Sequence, residues 1–120
     1  MVTALWVALG GAVGSVARYA LAGSINLRYQ PWGTVSVNVL GSLVLGVLIG
    51  FWGFHADSPM RVGVAIGLLG GFTTFSSFAI DTIYLWDTGQ TGVAVSSLTI
   101  SVVVGIGAAI LGIALGRSLA

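Results

Sequence analysis

A nine-residue stretch, Gly70-Gly71-Phe72-Thr73-Thr74-Phe75-Ser76-Ser77-Phe78, carries the most evident chemistry of this chain. It lies within an apolar run, residues 62–80, that is long enough to enter a bilayer. A continuous helix satisfies its own backbone in hydrocarbon, whereas two glycines followed by four hydroxyl side chains predict an interruption. Interruptions of this kind line cavities or bind ions in membrane proteins. The alternative is a glycine-packed helix whose threonines bond back to their own carbonyls.

Polar side chains recur at helical spacing in two further apolar segments. Thr34, Asn38 and Ser42 stand four residues apart and share one face of a helix otherwise rich in Val, Leu, Ile and Gly. Ser97 and Ser101 repeat this spacing in the last apolar segment. These side chains predict a polar track through the membrane, and hydrogen bonding between neighbouring helices is the alternative.

The chain lacks most side chains that carry acid–base or metal chemistry. It contains no Glu, no Cys and one His, and Asp81 is its one acid at membrane depth. An enzyme would need a nucleophile with its base, and a metal centre would need clustered ligands, so the sequence predicts neither. A proton-coupled pump would need an ionisable group at its substrate site. Passive conduction along neutral donors is the function that remains.

The neutral donors indicate the charge of the conducted ion. Hydroxyl and amide groups donate hydrogen bonds, and aromatic rings such as Phe75 and Phe78 present positive edges. A cation would prefer carbonyl or carboxylate oxygens. We therefore expect a small, hard anion, which the composition alone does not name.

Membrane-spanning helices must carry these residues. Of the 120 residues, 57% are hydrophobic and 6% are charged, whereas soluble domains carry about 25% charged residues. Four apolar segments, 2–22, 33–54, 62–86 and 92–116, reach the roughly 20 residues that cross a lipid bilayer. We expect one all-α integral membrane domain of four transmembrane helices, with the third helix broken mid-membrane. The four scattered Arg residues and the net charge of +1 exclude a nucleic-acid partner.

The charges at the segment ends give little instruction about orientation. Arg61 and Arg117 fall on the side of the N-terminus, and Arg18 and Arg28 fall toward the opposite side. Because the bias of Lys and Arg in short loops sets orientation, an even split predicts insertion in both directions. Two oppositely inserted copies would form an antiparallel homodimer. A single orientation fixed by other signals is the alternative.

Glycines recur four residues apart in each apolar segment. Small residues at this spacing let helices approach closely, so they predict helix packing and carry little functional information. The pairs are Gly10 and Gly14, Gly46 and Gly50, Gly63 and Gly67, and Gly112 and Gly116.

Three segments together resemble the Fluc (CrcB) family of small dual-topology fluoride channels. They are residues 10–19 (GGAVGSVARY), 33–42 (GTVSVNVLGS) and 70–78 (GGFTTFSSF). The resemblance covers essentially the whole chain. It implies a passive, highly selective fluoride channel, multi-pass in the plasma membrane, that exports cytoplasmic fluoride and so confers fluoride resistance.

The resemblance also implies a set of pathway residues. Arg18 would draw anions toward the vestibule, and Asp81 stands where the family commonly has a glutamate. In the fourth span, Ser97 stands where the family often carries a tyrosine, and Ser101 keeps a hydroxyl. The expected pathway residues are Asn38, Phe75, Phe78, Ser76, Ser77, Thr34, Ser101 and Ser97.

A structural sodium ion at the dimer centre is the one cofactor that the resemblance implies. Its ligands would be the backbone carbonyls of Gly70 and Thr73 from both copies. This agrees with the physics of a broken helix, because a break exposes carbonyl oxygens that a buried hard cation would satisfy.

Two other functions stay open at this point. A small multidrug-type antiporter has a similar number of spans, but it should carry a membrane-embedded glutamate in the first span, and this sequence has none. A structural membrane subunit would need only the glycine packing and the interhelical hydrogen bonds.

Overall fold

Four long apolar helical segments make up most of the protein in the computed structural model, which describes residues 1–55 and 57–120. With 21 to 29 residues at about 1.5 Å each, every segment is long enough to cross the hydrocarbon core. All regular elements of the described residues are helical, which confirms the expectation of an all-α membrane protein. The segments are Val2–Tyr29 (α1), Trp32–Trp52 (α2), Pro59–Asp87 (the third segment, which contains α3 to α5) and Thr91–Leu119 (α6).

The third segment is interrupted near its middle. Thr73 and Thr74 leave the helix with extended ψ angles of 159° and 120°. The predicted break is therefore confirmed and falls at these two threonines. In chain order the segment consists of α3 (Pro59–Val62), a π-helical stretch (Gly63–Leu69), α4 (Gly70–Phe72) and, after the break, α5 (Phe75–Asp87).

Helix α1 continues seven residues beyond residue 22, where the first predicted span ends. Polarity marks the end of the hydrocarbon crossing, but it does not stop a helix. Ser24 is accommodated within the helix because its Oγ donates to the carbonyl of Ala20 at 2.6 Å. Pro31 is the first residue that cannot extend the helix in the usual way. The longer helix brings Asn26 beside the start of α2.

Close glycine contacts hold the helices together in two pairs. α1 packs against the π-helical stretch and α4, and α2 packs along α6. A Cβ at any of the predicted paired glycines would collide with the backbone of the opposite helix, so the packing role predicted for these pairs is confirmed. These glycines are Gly10, Gly14, Gly46, Gly50, Gly63, Gly67, Gly112 and Gly116.

The break lies where the two helix pairs meet. α4 contacts both α1 and α2, whereas α5 packs mainly on α6 and touches α2. Because successive segments cross in opposite directions, the end of α1, the start of α2, the end of α5 and the start of α6 share one face of the protein. We call this side the Gln30 face, after the residue that follows α1.

Candidate functional site

Asn38 on α2 takes over the hydrogen bonds that the broken helix loses at Thr74. Its Oδ1 accepts from the backbone N–H of Thr74 at 2.7 Å, and its Nδ2 donates to the carbonyl of Thr74 at 2.9 Å. A backbone N–H can only donate, so the first bond fixes which end of the amide is oxygen. The Nδ2 group has two hydrogens and uses one on Thr74. One N–H of Asn38 therefore remains available to another acceptor.

Arg18 on α1 binds the carbonyl of the other extended residue. Its guanidinium donates to the Thr73 oxygen at 3.0 Å, in a partly buried position. The positive charge also lies beside the C-terminal end of the helix that stops at Phe72, where the helix dipole is negative. The structure thus attaches Arg18 to the break itself, while its expected role in attracting anions to a vestibule stays a prediction.

The Gly70 carbonyl loses its regular helical partner at the same break. In an unbroken helix it would accept from the N–H of Thr74, but that N–H donates to Asn38. Gly70 is exposed, and a Cβ built on it would have no neighbour within 4 Å. Its oxygen and that of Thr73 have the chemistry of ligands for a hard cation. Such a cation takes about six oxygens, so two carbonyls of one chain would not complete its shell.

Hydroxyl groups cluster at the start of α5. Thr74 caps the helix, since its Oγ accepts from the N–H of Ser77 at 3.2 Å. The same hydroxyl donates to Ser77 Oγ at 3.2 Å and lies 3.3 Å from Ser76 Oγ. One hydroxyl has a single hydrogen, so Ser76 is the donor to Thr74 in this arrangement. The hydroxyl hydrogen of Ser77 is then free for a further acceptor.

Phe75 and Phe78 form a tilted aromatic pair next to these hydroxyls. Their ring centroids are 5.8 Å apart, with an angle of 58° between the ring planes. Phe78 is buried, but 79% of Phe75 is exposed. Rings in this geometry direct hydrogen-bearing edges outward as well as toward each other. An anion that moves along α5 would therefore meet positive ring edges.

A groove of about 250 Å³ joins the break to the polar face of α2. Asn38, Thr73 and Phe75 of the predicted site contribute to it. Gly41 also lines it, and a side chain there would collide with the methyl group of Thr73. The groove has uncharged walls, formed by Asn38, Gly41, Ser42, Leu45, Thr73, Thr74 and Phe75.

Ser76, Ser77 and Thr34 lie in the direction of the Gln30 face. The two serines line a second groove, of about 290 Å³, together with Asp81. Thr34 is 4% exposed and donates its hydroxyl hydrogen to Asp81 Oδ2 at 2.8 Å. Because that hydrogen is already used, Thr34 offers no donor to an ion in this arrangement.

The structure does not bring the two serines of α6 into either groove. Ser97 is buried and donates to the carbonyl of Ala94 in its own helix at 3.0 Å. The Oγ of Ser101 is buried and has no hydrogen-bond partner among the described residues. A buried hydroxyl without a partner is costly, so this position would favour a ligand or a water molecule. The pathway roles of both serines stay predictions.

Two residues that sequence reasoning did not single out belong to this region. Asn26 Nδ2 donates to Thr34 Oγ1 at 3.2 Å, and Gln30 Nε2 donates to Asp81 Oδ1 at 3.1 Å. Both lie between the first two predicted spans, 2–22 and 33–54. No local pattern predicts these partners, which the end of α1 brings together with α2 and α5.

Comparison with known proteins identifies the relatives of this chain. The family model described as "CrcB-like protein, Camphor Resistance (CrcB)" matches residues 5–113. A protein of Agrobacterium fabrum named "Fluoride-specific ion channel FluC" is 42% identical over 125 aligned positions, covering 99% of each chain. A protein of the same name from Paracoccus denitrificans is 43% identical, over 98% of this chain and 96% of its own length. The relative from Magnetococcus marinus is 42% identical, over 93% of this chain and 95% of its own length.

Replacement of Asn38 by leucine should loosen the break. The variant leaves the N–H and carbonyl of Thr74 without their side-chain partner, which we expect to cost about 1 to 3 kcal/mol of stability. Hydrogen exchange at the amides of Thr74 to Ser77 should become faster than in the unchanged protein. The matched control is Ser36→Ala on the same helix, since Ser36 donates only to the carbonyl of Trp32 and is exposed. Equal exchange in both variants would show that Asn38 does not hold the break.

Proposed function

The chain belongs to the CrcB family, and on this basis we propose that it is a passive fluoride channel through which cytoplasmic fluoride leaves the cell. The names of its relatives support this proposal, since they describe fluoride-specific ion channels. They also confirm the expectation that the chain is not an enzyme. The four apolar helices make it a multi-pass membrane protein, and we propose the plasma membrane as its location.

The single observation that carries the proposal is the uncharged groove at the helix break. Fluoride is small and strongly hydrated, so it needs hydrogen-bond donors wherever it loses water. The spare N–H of Asn38 and the ring edge of Phe75 supply donors in the groove. The free hydroxyl hydrogen of Ser77, on α5 with Phe75, supplies a further donor. Neutral donors can release an anion again, whereas a fixed positive charge would hold it.

We propose that two antiparallel copies complete the pathway. Phe75 is 79% exposed. Gly70 is also exposed, and its carbonyl lacks the regular helical partner. A second copy that covers this side would give the groove its missing wall. Arg61 and Arg117 lie toward one side and Arg28 toward the other, while Arg18 is bound at the break. The segment ends therefore carry only a weak charge bias, which supports insertion in both orientations.

We propose that Gly70 and Thr73 of both copies hold a structural sodium ion. Their carbonyl oxygens are hard ligands, and the Gly70 oxygen lacks its helical partner. The Thr73 oxygen already accepts from Arg18, but a carbonyl has a second lone pair. Two copies would bring four such oxygens. When bound, the ion would satisfy these carbonyl oxygens and link the two copies, without moving through the channel.

Fluoride efflux from liposomes tests the proposed function. We expect liposomes that contain the purified protein and potassium fluoride to release fluoride when a potassium ionophore is added. The ionophore lets potassium leave as well, so no membrane potential builds up against the efflux. The release should need no proton gradient, and chloride-loaded liposomes should retain their chloride. Protein-free liposomes give the background. A release that requires an opposing ion gradient would indicate an antiporter. Absence of release would contradict the channel proposal and favour a structural membrane subunit.

Replacement of Phe75 or Phe78 by isoleucine should slow this efflux. Isoleucine keeps much of the bulk but removes the polar ring edge, so we expect about a 3- to 10-fold loss, in line with the energy of aromatic edge contacts. Phe51→Ile provides the matched control, because Phe51 is exposed on α2 and lies outside both grooves. Flux at the level of the unchanged protein in both groove variants would contradict the proposed role of the rings.

Sodium should stabilise the assembled protein. A ligand that binds only the folded state, at a free concentration of about 100 times its Kd, adds about 2.7 kcal/mol to the free energy of unfolding. We therefore expect sodium chloride to raise the melting temperature and the yield of cross-linked dimer, relative to an equal concentration of N-methylglucamine chloride. The measurement needs no fluoride, so it is independent of conduction. The same melting temperature and dimer yield in both salts would argue against the sodium site.

A further inference from the structure

Four polar side chains form a connected chain of hydrogen bonds near the Gln30 face. Asn26 Nδ2 donates to Thr34 Oγ1 at 3.2 Å, and Thr34 Oγ1 donates to Asp81 Oδ2 at 2.8 Å. Gln30 Nε2 donates to the other carboxylate oxygen of Asp81 at 3.1 Å. The end of α1, the start of α2 and the middle of α5 are joined by this chain, which we call the mouth network.

The direction of each hydrogen bond in the mouth network is determined by chemistry. The backbone N–H of Gly33 donates to Asn26 Oδ1 at 2.8 Å, so the Nδ2 group of Asn26 faces Thr34. An amide nitrogen can only donate, and Thr34 has a single hydroxyl hydrogen. That hydrogen must therefore go to the carboxylate of Asp81. Asn26 in this way orients the Thr34 hydroxyl toward Asp81.

The mouth network attaches the middle of α5 to α2 and to the end of α1. This half-helix packs mainly on α6, and its side-chain hydrogen bonds to α2 occur at two points. The first is Asn38 at Thr74, where α5 begins, and the second is Thr34 at Asp81, seven residues later. Two points of attachment to α2 fix the tilt of α5 relative to that helix more firmly than one would. Phe75 and Phe78 lie between them on α5.

We infer that Asn26 and Gln30 are positioning residues of the ion pathway. They hold Asp81 and Thr34 in register and so fix the tilt of the half-helix that carries the two phenylalanines. Neither residue lines the groove at the break, so Gln30 acts through Asp81, and Asn26 acts through Thr34 and then Asp81. The inference rests on the proposed fluoride conduction, because flux is its readout.

A reciprocal exchange tests the role of Asn26. Asn26→Asp keeps the acceptor for the Gly33 N–H but removes the donor to Thr34 and adds a second carboxylate, so we expect flux to fall about 3- to 10-fold. Adding Asp81→Asn to this variant restores the net charge. It also reverses the chain, with the new amide donating to Thr34 and Thr34 donating to the new carboxylate. We expect the double variant to recover to within about twofold of the unchanged protein.

Gln30 is tested by a variant that keeps its length. Gln30→Met removes the donor to Asp81 and should lower flux about 3-fold. Gln90→Met is the matched control on the same face, since the Gln90 side chain donates only to Thr88 Oγ1. In the Asp81→Asn background the Gln30 change should add less than it does in the unchanged protein, because its partner has lost its charge.

The outcomes separate this inference from the proposed function. Absence of fluoride release by the unchanged protein would refute the function. With the unchanged protein active, the inference is overturned if Asn26→Asp conducts normally, or if the reciprocal exchange conducts no better than Asn26→Asp alone. Strictly multiplicative effects of Gln30→Met and Asp81→Asn would likewise show that Gln30 does not act through Asp81. Dimer content and melting temperature, measured for every variant, identify any loss that is due to unfolding.

Discussion

The hydrogen bonds that repair the broken third segment are the constraint on which the rest of the structure depends. A helix that stops within hydrocarbon leaves backbone groups without partners, and each such group costs several kcal/mol. Asn38 satisfies both the N–H and the carbonyl of Thr74, and Arg18 satisfies the carbonyl of Thr73. Two side chains from two different helices thus maintain a backbone conformation that the third segment could not keep alone.

The glycine contacts make these repairs possible because they set the distances between helices. Gly14 brings α1 against the backbone of Leu68, and Arg18 follows one helical turn later, within reach of Thr73. On α2, Gly41 leaves the space that the Thr73 methyl group occupies, one turn after Asn38. Larger residues at the close contacts would separate the helices and move both side chains away from the break. The packing motif and the polar site are therefore parts of a single arrangement.

The sequence predicts the elements of this protein well and the partners of its polar side chains poorly. Hydropathy, glycine spacing and the glycine and hydroxyl residues of 70–78 are local patterns, so the four segments, the packing glycines and the break follow from them. The bond between Thr34 and Asp81 joins residues 47 positions apart, and that between Arg18 and Thr73 joins residues 55 apart. Such pairs depend on how helices approach each other, which no single segment encodes. Asn26 lies beyond the first predicted span for a related reason, since hydropathy ends that span at residue 22 and helix α1 continues to Tyr29.

The same break produces both acceptors and donors, and this explains how one chain could serve two ions of opposite charge. The extended residues turn the Thr74 N–H away from Gly70, which leaves a carbonyl oxygen available to a cation. The amide that captures this N–H is Asn38, and it keeps one hydrogen available to an anion. In an intact helix the Thr74 N–H would remain on Gly70, and the two sets of groups would not be separated. A structural cation and a conducted anion would then depend on one local event, the transfer of a single backbone hydrogen bond from a carbonyl to a side chain.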